Sequence, residues 1–291
     1  MGLLGLVLIS FTPGLFWLWF FLRHDIHRPA PRRLVAITFF LGCVSTIPAG
    51  IVNVTLGPDD LNDPNLSLAT VAVSMLLVTG PFEELFKFLA VRWVPYRSLY
   101  FDEPIDGLVF AAAAALGFAS LENFIYVLTY GPEVMLVRAP ISTLAHLSLS
   151  SVWGYALGQH HASGGRRRGL LIGSLVLAAI AHGLFNVAAF AIKDVATGLM
   201  VSALLVGFGG FWAHRAFRWG QRNSPFRFKK NYPLIECPSC QSNIRAFHRF
   251  CNYCGQAVPD DFEALICGHC KNRNRPDASF CTGCGDQLLT R

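Results

Sequence analysis

The 291-residue chain has few charged residues, and few cysteines outside its C-terminal end. Asp, Glu, Lys and Arg make up 14% of the sequence, whereas about a quarter is usual for a soluble domain. The charges are sparse and clustered up to residue 213 and become dense beyond it, while 53% of all residues are hydrophobic. This distribution excludes an ordinary soluble protein. It predicts a polytopic membrane protein followed by a small soluble tail.

Seven apolar stretches are long enough to cross a bilayer, for which about 20 helical residues are needed. They lie at residues 2–22, 34–56, 67–93, 105–128, 134–158, 169–192 and 198–214. The first stretch has no basic residue before it and no small-residue cleavage site after it, so we expect a retained helix and not a signal peptide. The predicted fold class is therefore an all-α polytopic membrane protein with about seven transmembrane helices.

Lys and Arg residues are concentrated in alternate loops between the predicted helices. The basic loops lie at residues 23–33, 92–97, 166–168 and 215–230. The other loops contain only Arg138 and Lys193, together with the acidic residues Asp59, Asp60 and Asp63. Because cytoplasmic loops are richer in Lys and Arg, we expect the N-terminus outside the cell and the tail in the cytoplasm. The basic loops are interpreted as topology determinants that also contact anionic lipid, which leaves little support for nucleic-acid binding.

Eight of the nine cysteines form CxxC pairs in the tail. The first unit contains Cys237, Cys240, Cys251 and Cys254, and the second contains Cys267, Cys270, Cys281 and Cys284. In each unit ten residues separate the two pairs, and the second unit follows the first by 30 residues, which indicates an internal duplication. This spacing predicts a zinc ribbon, in which four thiolates bind one structural zinc ion. Thiols stay reduced in the cytoplasm, so disulfides are not expected.

The domain organisation follows from these patterns. We expect a membrane domain at residues 1–214, a basic juxtamembrane linker at 215–234, and zinc ribbons at 235–256 and 265–286. Each ribbon is too small to fold without its metal ion. The charges between the cysteine pairs have both signs and form no basic stripe, so we expect a regulatory role or docking of a cytoplasmic protein, and not DNA binding. Cys43, alone in the second span, is predicted to be a small buried apolar residue.

Ionisable side chains occur inside four of the predicted spans, where they are costly and by default mark a functional site. Polar residues that share a span are mostly three or four positions apart, so they lie on one face of their helix. Depths estimated from the helical rise of about 1.5 Å per residue lie between the bilayer midplane and its outer half. We call this set the polar cluster: Glu83, Glu84, Lys87, Glu122, His146, His182 and Asn186.

Two structural explanations compete with a functional one. A histidine in a helix bundle often only hydrogen-bonds a neighbouring helix, and a Glu–Lys pair one turn apart neutralises itself. Neither explains the second glutamate or Glu122, which has no basic partner in its own helix. We therefore expect hydrolysis, with a glutamate as general base and His or Asn stabilising an oxyanion. The same side chains suit a zinc ion that activates water, although no HExxH motif supports one.

The motifs resemble those of the PrsW family of bacterial intramembrane proteases, within the wider group of CAAX-prenyl-protease-like and bacteriocin-immunity membrane proteins. The matching stretches, within residues 67–192, are "EELFK" (Glu83 to Lys87), "DEPIDGLVFAAAAALGFASLENFIY" (Asp102 to Tyr126), the helix with His146, and "HGLFN" (His182 to Asn186). The resemblance implies proteolysis of membrane-anchored proteins at the bacterial plasma membrane, with anti-sigma factors as the best-known substrate type.

The resemblance also assigns positions. The first-motif glutamates are Glu83 and Glu84, the second-motif glutamate is Glu122, and the histidines are His146 and His182. Prenyl-protease relatives have a histidine at the position of Glu122, so metal-free and metal-dependent chemistry both stay open. Asp106 and Gly107 match a further family feature, for which a structural role of Asp106 at the helix start is equally consistent.

These observations lead to one hypothesis and two alternatives. In the hypothesis Glu83 is the general base and Glu84 and Lys87 set its charge. Glu122 and His146 bind water or metal, and His182 and Asn186 stabilise the oxyanion or orient the substrate. The cofactors are two structural zinc ions, with a catalytic zinc ion possible. The alternatives are a non-catalytic membrane binding protein of the immunity type, and a metal or ion transporter that uses the polar cluster.

Overall fold

The computed structural model describes most of the chain. The described residues are 2–58, 66–190, 192, 194–224, 226, 234–245, 250–251, 253–258, 265–274, 280–281 and 283–288. Parts of the predicted linker and ribbons lie outside them, as do Lys193 and the acidic residues Asp59, Asp60 and Asp63.

The described part of the membrane domain contains seven long helical segments. These are α1 (Leu3–His24), α2 (Arg32–Leu56), α3 (Leu68–Ser74, a π-helical stretch Met75–Thr79, and Gly80–Trp93), α4 (Asp106–Tyr130), α5 (Met135–Val137, a π-helical stretch Arg138–Ser142, and Thr143–Ala162), α6 (Arg168–Phe190) and α7 (Val195–Arg222). Short 3-10 turns at Pro95–Arg97 and Pro132–Val134 lie in the connections after α3 and α4. The predicted all-α membrane class is confirmed.

Six of these described helices are long and apolar enough to cross a membrane. Helix α5 is the exception, since its stretch Thr143–Ala162 contains three serines and three histidines. Most of that stretch is buried among the other helices, so its polar residues do not face lipid. Helix α7 continues to Arg222, past the predicted end at residue 214, so the first part of the predicted linker is helical.

Helix α4 forms the centre of the bundle. It packs against α1, α2 and α5, and nearly every residue of its first half is buried. Small residues permit this close packing, as is usual between transmembrane helices. A Cβ atom at Gly117 would clash with the carbonyl oxygen of Phe39 in α2, and one at Gly107 would clash with the carbonyl oxygen of Gly154 in α5. These crossings fix α4 with respect to its neighbours.

A second close crossing joins α3 and α6. A Cβ atom at Gly80 would meet the backbone of α6 at Gly183, and one at Gly183 would lie 2.6 Å from the carbonyl oxygen of Met75. Gly183 directly follows His182 in α6, and Gly80 lies one turn before Glu83 and Glu84 in α3. The crossing therefore brings the glutamates of α3 close to His182 of α6.

The tail contains two similar small units. Strand β1 (Leu234–Glu236) pairs antiparallel with β2 (Asn243–Arg245), and β3 (Leu265–Ile266) pairs antiparallel with β4 (Arg273–Asn274). Gly255 and Gly285, which follow the closing CxxC pairs, have φ angles of 76° and 84°, in the left-handed region that glycine adopts readily. The repeated hairpin and turn agree with the duplication seen in the sequence. We call the end of the bundle from which α7 leads towards these units the ribbon end.

Substituting Gly117 tests the close α2–α4 crossing. We expect Gly117→Ala to destabilise the membrane domain by about 2–3 kcal/mol, because a backbone carbonyl cannot move aside for the added methyl group. Thermal unfolding in detergent measures the loss. Gly173→Ala is the matched control, since a Cβ atom there meets nothing within 4 Å. Equal melting temperatures of both variants and the wild type would contradict the prediction.

Candidate functional site

Helices α3, α4, α5 and α6 bring the polar cluster together. Its members from α3, α5 and α6 are buried, and Glu122 of α4 is partly buried. The rings of His146 and His182 are nearly perpendicular, with their centroids 5.0 Å apart. Close polar contacts join six members of the polar cluster from four helices, and the seventh, Asn186, lines the cavity beside them.

Glu84 is the most fully bonded member of the polar cluster. Its Oε1 accepts hydrogen bonds from Lys87 Nζ at 2.9 Å and from His182 Nδ1 at 2.8 Å. Its Oε2 accepts from Ser150 Oγ at 2.7 Å and from Trp153 Nε1 at 2.8 Å. Four donors from three helices therefore compensate a carboxylate that is almost completely buried. Glu84 has no oxygen left for a substrate.

Glu83, the preceding residue, has different surroundings. Its Oε1 accepts a 3.4 Å hydrogen bond from the side-chain amide of Asn53 in α2. Its Oε2 is buried and has no hydrogen-bond partner among the described residues. Two side-chain nitrogen atoms lie near Oε2 beyond hydrogen-bond distance or at its limit, His182 Nε2 at 3.5 Å and Lys87 Nζ at 3.7 Å. Glu83 thus has a carboxylate oxygen available for a ligand.

Glu122 is held between a histidine and an arginine. Its Oε2 lies 2.8 Å from His146 Nε2 and 2.6 Å from Arg138 Nη2. The sequence analysis predicts that Arg138 lies in a loop. In the structure it lies in the π-helical stretch of α5 and is buried. Its Nε also donates to Asn123 Oδ1 at 2.8 Å, and its guanidinium lies over the ring of Tyr126. Glu122 therefore does have a basic partner, supplied by another helix.

His146 connects the two halves of the polar cluster. Lys87 Nζ lies 2.8 Å from its Nδ1, and the Glu122 carboxylate lies 2.8 Å from its Nε2. An ammonium group only donates and a carboxylate only accepts. A neutral imidazole protonated at Nε2 satisfies both contacts. Lys87 in turn lies over the ring of Phe118, 4.3 Å from its centroid.

A cavity of about 460 Å³ lies beside the polar cluster, towards the end of the bundle opposite the ribbon end. Glu83, Glu122, His146 and Asn186 line it, and the rest of its wall is largely apolar. We call it the cluster cavity. Asn53 also lines it, and its Oδ1 is buried without a hydrogen-bond partner among the described residues. The cluster cavity is large enough to admit a peptide segment, and it presents carboxylate, imidazole and amide groups to it.

Sequence reasoning missed several residues of the site. Asn53 had one signal, since it is an amide within an apolar span. Arg138 was visible only as a charge in a short connection. Ser150 and Trp153, which both bind Glu84, carry no sequence pattern that separates them from ordinary helix residues.

Four buried acidic residues lie far from the polar cluster, at the ribbon end. Asp106 Oδ2 accepts hydrogen bonds from the backbone amides of Asp102 and Glu103 at 2.7 and 2.6 Å. Burial raises the pKa of Asp102 to about 7, although Arg28 at 2.6 Å opposes the shift, and burial raises the pKa of Glu103 to about 8. The fourth is Asp25, whose pKa burial raises to about 6. Asp106 therefore orders the loop before α4. Gly107 permits the close α4–α5 packing, so both residues have a structural role.

The two cysteine sets converge as the sequence predicts. In each set the four Sγ atoms lie within 4.8 Å of one another. Sγ–Sγ distances of 3.8 Å for Cys237–Cys254 and 3.4 Å for Cys270–Cys281 are close to the ~3.8 Å expected between thiolates around zinc. The described cysteines are all free of disulfides. Cys43 instead donates a hydrogen bond to the carbonyl oxygen of Gly117, at 3.2 Å.

Comparisons with known proteins agree with this arrangement. The model of the "PrsW family intramembrane metalloprotease" matches residues 30–211, and the "Double zinc ribbon" model matches residues 237–285. The chain is 29% identical to the Protease PrsW of Geobacillus kaustophilus over 182 residues, which cover 62% of this chain and 78% of the relative. It is 28% identical to that of Bacillus subtilis over 183 residues, covering 62% and 81%. No solved structure matches the chain.

Metal analysis tests the ribbons directly. We expect the purified protein to contain two zinc ions in its cysteine sets, and Cys240→Ser to lose one of them, because the two sets share no ligand. Cys43→Ser is the control and should lose none. Metal in excess of two ions would belong to Glu83, His146 and His182, and should disappear in His182→Ala. Full zinc content in Cys240→Ser would refute the ribbon assignment.

Proposed function

The chain belongs to the PrsW family of intramembrane metalloproteases, and we propose that it hydrolyses membrane-anchored proteins at the cluster cavity. The observation that carries this proposal is the unpartnered Oε2 of Glu83 beside that cavity. A buried carboxylate oxygen without a hydrogen bond is costly, so it marks a place where water, metal or substrate binds.

Glu83 is the general base in the metal-free form of this mechanism. It takes a proton from the water whose oxygen attacks the scissile carbonyl carbon, and it later returns a proton to the departing amine. Glu84 and Lys87 hold the surrounding charge fixed. Because Glu84 is bonded to both Lys87 and His182, Glu83 is the less compensated carboxylate. Asn186 lines the cluster cavity and serves as a donor to the oxyanion that forms at the carbonyl.

The residues present fit a metal ion of the kind that the family description names. Glu83, His146 and His182 each offer one ligand atom, and these atoms lie within 4.8 Å of one another. His182 already donates from Nδ1 to Glu84, the outer-shell contact typical of a metal-binding histidine. His146 joins this set by releasing either Lys87 or Glu122 from one ring nitrogen. When bound there, a divalent metal supplies Lewis acidity and a more acidic water.

The loop charges support a location for the reaction. The described residues of the basic loops all lie at the ribbon end, which by the positive-inside tendency faces the cytoplasm of a bacterium. The cluster cavity lies towards the opposite end, so cleavage takes place in the outer half of the plasma membrane. Membrane-anchored proteins with a bond near that surface, such as anti-sigma factors, are the proposed substrates.

The zinc ribbons act as a docking or regulatory module. Support comes from a contact between the first ribbon and the α5–α6 loop, where the ring of Phe250 lies against Gly164. The guanidinium of Arg166 lies over the same ring, 5.1 Å from its centroid. A cytoplasmic partner that binds the ribbon would compete with this contact and so act on the loop between two site-bearing helices.

Removing the general base tests the reaction. We expect Glu83→Gln to reduce cleavage by about 100-fold or more, since an amide cannot accept the proton. New N-termini in membrane fractions of cells with wild-type or variant protein measure it. Glu133→Gln, an exposed glutamate of the α4–α5 connection, is the control. Identical N-termini with equally abundant proteins would favour the binding or transport alternatives.

Asn53 is expected to position Glu83. Asn53→Ala removes the hydrogen bond to Glu83 Oε1, so we expect a rate about fivefold lower with little change in melting temperature. Asn53→Asp should lower the rate further, because it puts a second carboxylate beside Glu83. Cleavage of a reconstituted substrate measures both variants. The control is Thr55→Ala, an exposed position of the same helix. A rate for Asn53→Asp equal to that of wild type would exclude this role.

A further inference from the structure

A second cavity, of about 570 Å³, lies on the side of the bundle between α1 and α7. Aromatic residues of α1 form one wall, including Trp17 and Phe21, and the floor is α5 at Leu144 and Leu147. The α7 wall is low because glycines face the cavity at positions 207 and 210. A Cβ atom at either glycine would meet nothing within 4 Å. We call this cavity the α1–α7 groove.

The length of the α1–α7 groove matches one leaflet of a bilayer. Along α7 its lining residues run from Val206 to Gln221, which is about 22 Å at the helical rise of about 1.5 Å per residue. Half of a bilayer is about 20–22 Å thick with its headgroup region, of which about 15 Å is hydrocarbon. The groove begins at mid-membrane, where α5 forms its floor, and ends at the ribbon end beside His24. It therefore has the length of one acyl chain together with its headgroup, in the leaflet at that end.

Arginines make the ribbon end of the α1–α7 groove cationic, and two histidines lie beside them. His24, His214 and Arg218 line it there, and Arg215 and Arg222 lie on the adjoining surface of α7. In the described part of the chain, none of these five residues forms an ion pair with a carboxylate. Trp212 and Trp219 flank the arginines, as is typical at the lipid headgroup level. The groove is thus apolar at mid-membrane and positively charged at its end, which complements the apolar acyl chain and the negative headgroup of an anionic phospholipid.

We propose that the α1–α7 groove is a binding site for an anionic glycerophospholipid. One acyl chain lies along Gly207 and Gly210, and the phosphate lies at His214 and Arg218. A neutral lipid would fill the apolar part equally well, so the cationic end is what gives a preference for negative charge. Leu147, in the floor, directly follows His146 in α5. The bound lipid thus packs on the helix that carries a polar-cluster residue.

Lipid retention tests the proposal independently of protease activity. The full-length protein is reconstituted in phosphatidylcholine nanodiscs containing some phosphatidylglycerol, and native mass spectrometry counts the lipids that stay bound. We expect wild type to retain phosphatidylglycerol selectively. Gly210→Leu should lose it, because the leucine side chain occupies the groove. Arg218→Gln should retain it about fivefold more weakly, the effect of one cation near the headgroups.

Two matched controls separate the groove from the general lipid surface. Gly173→Leu adds the same side chain to an open position of α6, and Arg23→Gln removes a cation at the same end of the bundle but outside the groove. Both should retain phosphatidylglycerol as wild type does. Retention by Gly210→Leu equal to that by Gly173→Leu would overturn the proposal. So would equal retention of phosphatidylcholine and phosphatidylglycerol by wild type.

Discussion

The membrane domain depends on the hydrogen bonds that compensate the buried carboxylate of Glu84. Its four donors come from α3, α5 and α6, and each lies within 2.9 Å of a carboxylate oxygen. A carboxylate at this depth is stable only when its charge is compensated. The three helices must therefore hold one relative position, and the close packing of glycines at the α3–α6 crossing permits it. The other polar contacts, including that of Lys87 with His146, depend on this arrangement.

Adjacent glutamates take different roles because successive helical residues point about 100° apart. Glu84 faces Trp153 and the centre of the bundle, whereas Glu83 faces Asn53 and the cluster cavity. One carboxylate is saturated with donors and the other keeps a free oxygen. A carboxylate saturated with donors and one with a free oxygen thus lie side by side, and we expect substitution of each glutamate to have a distinct effect.

Much of the site could be predicted because helical spacing and depth are readable from sequence. Residues three or four apart share a face, which was sufficient to group Glu84 with Lys87 and His182 with Asn186. The partners of these residues could not be read in the same way. Arg138 pairs with Glu122 only through the contact between α4 and α5. The π-helical stretches Met75–Thr79 and Arg138–Ser142 also shift the helical register, and α-helical periodicity does not anticipate them.

The polarity of α5 links membrane insertion to assembly of the site. A segment with three serines and three histidines between Thr143 and Ala162 partitions poorly from a translocon into lipid by itself. The partners that shelter its polar groups, Glu84 and Glu122, lie in helices that are synthesised before it. Ribosomal order therefore supplies α5 with its binding partners as it emerges, whereas His182 follows later. The last bond to Glu84 closes only after α6 is made, so the polar cluster is completed late, together with the membrane domain.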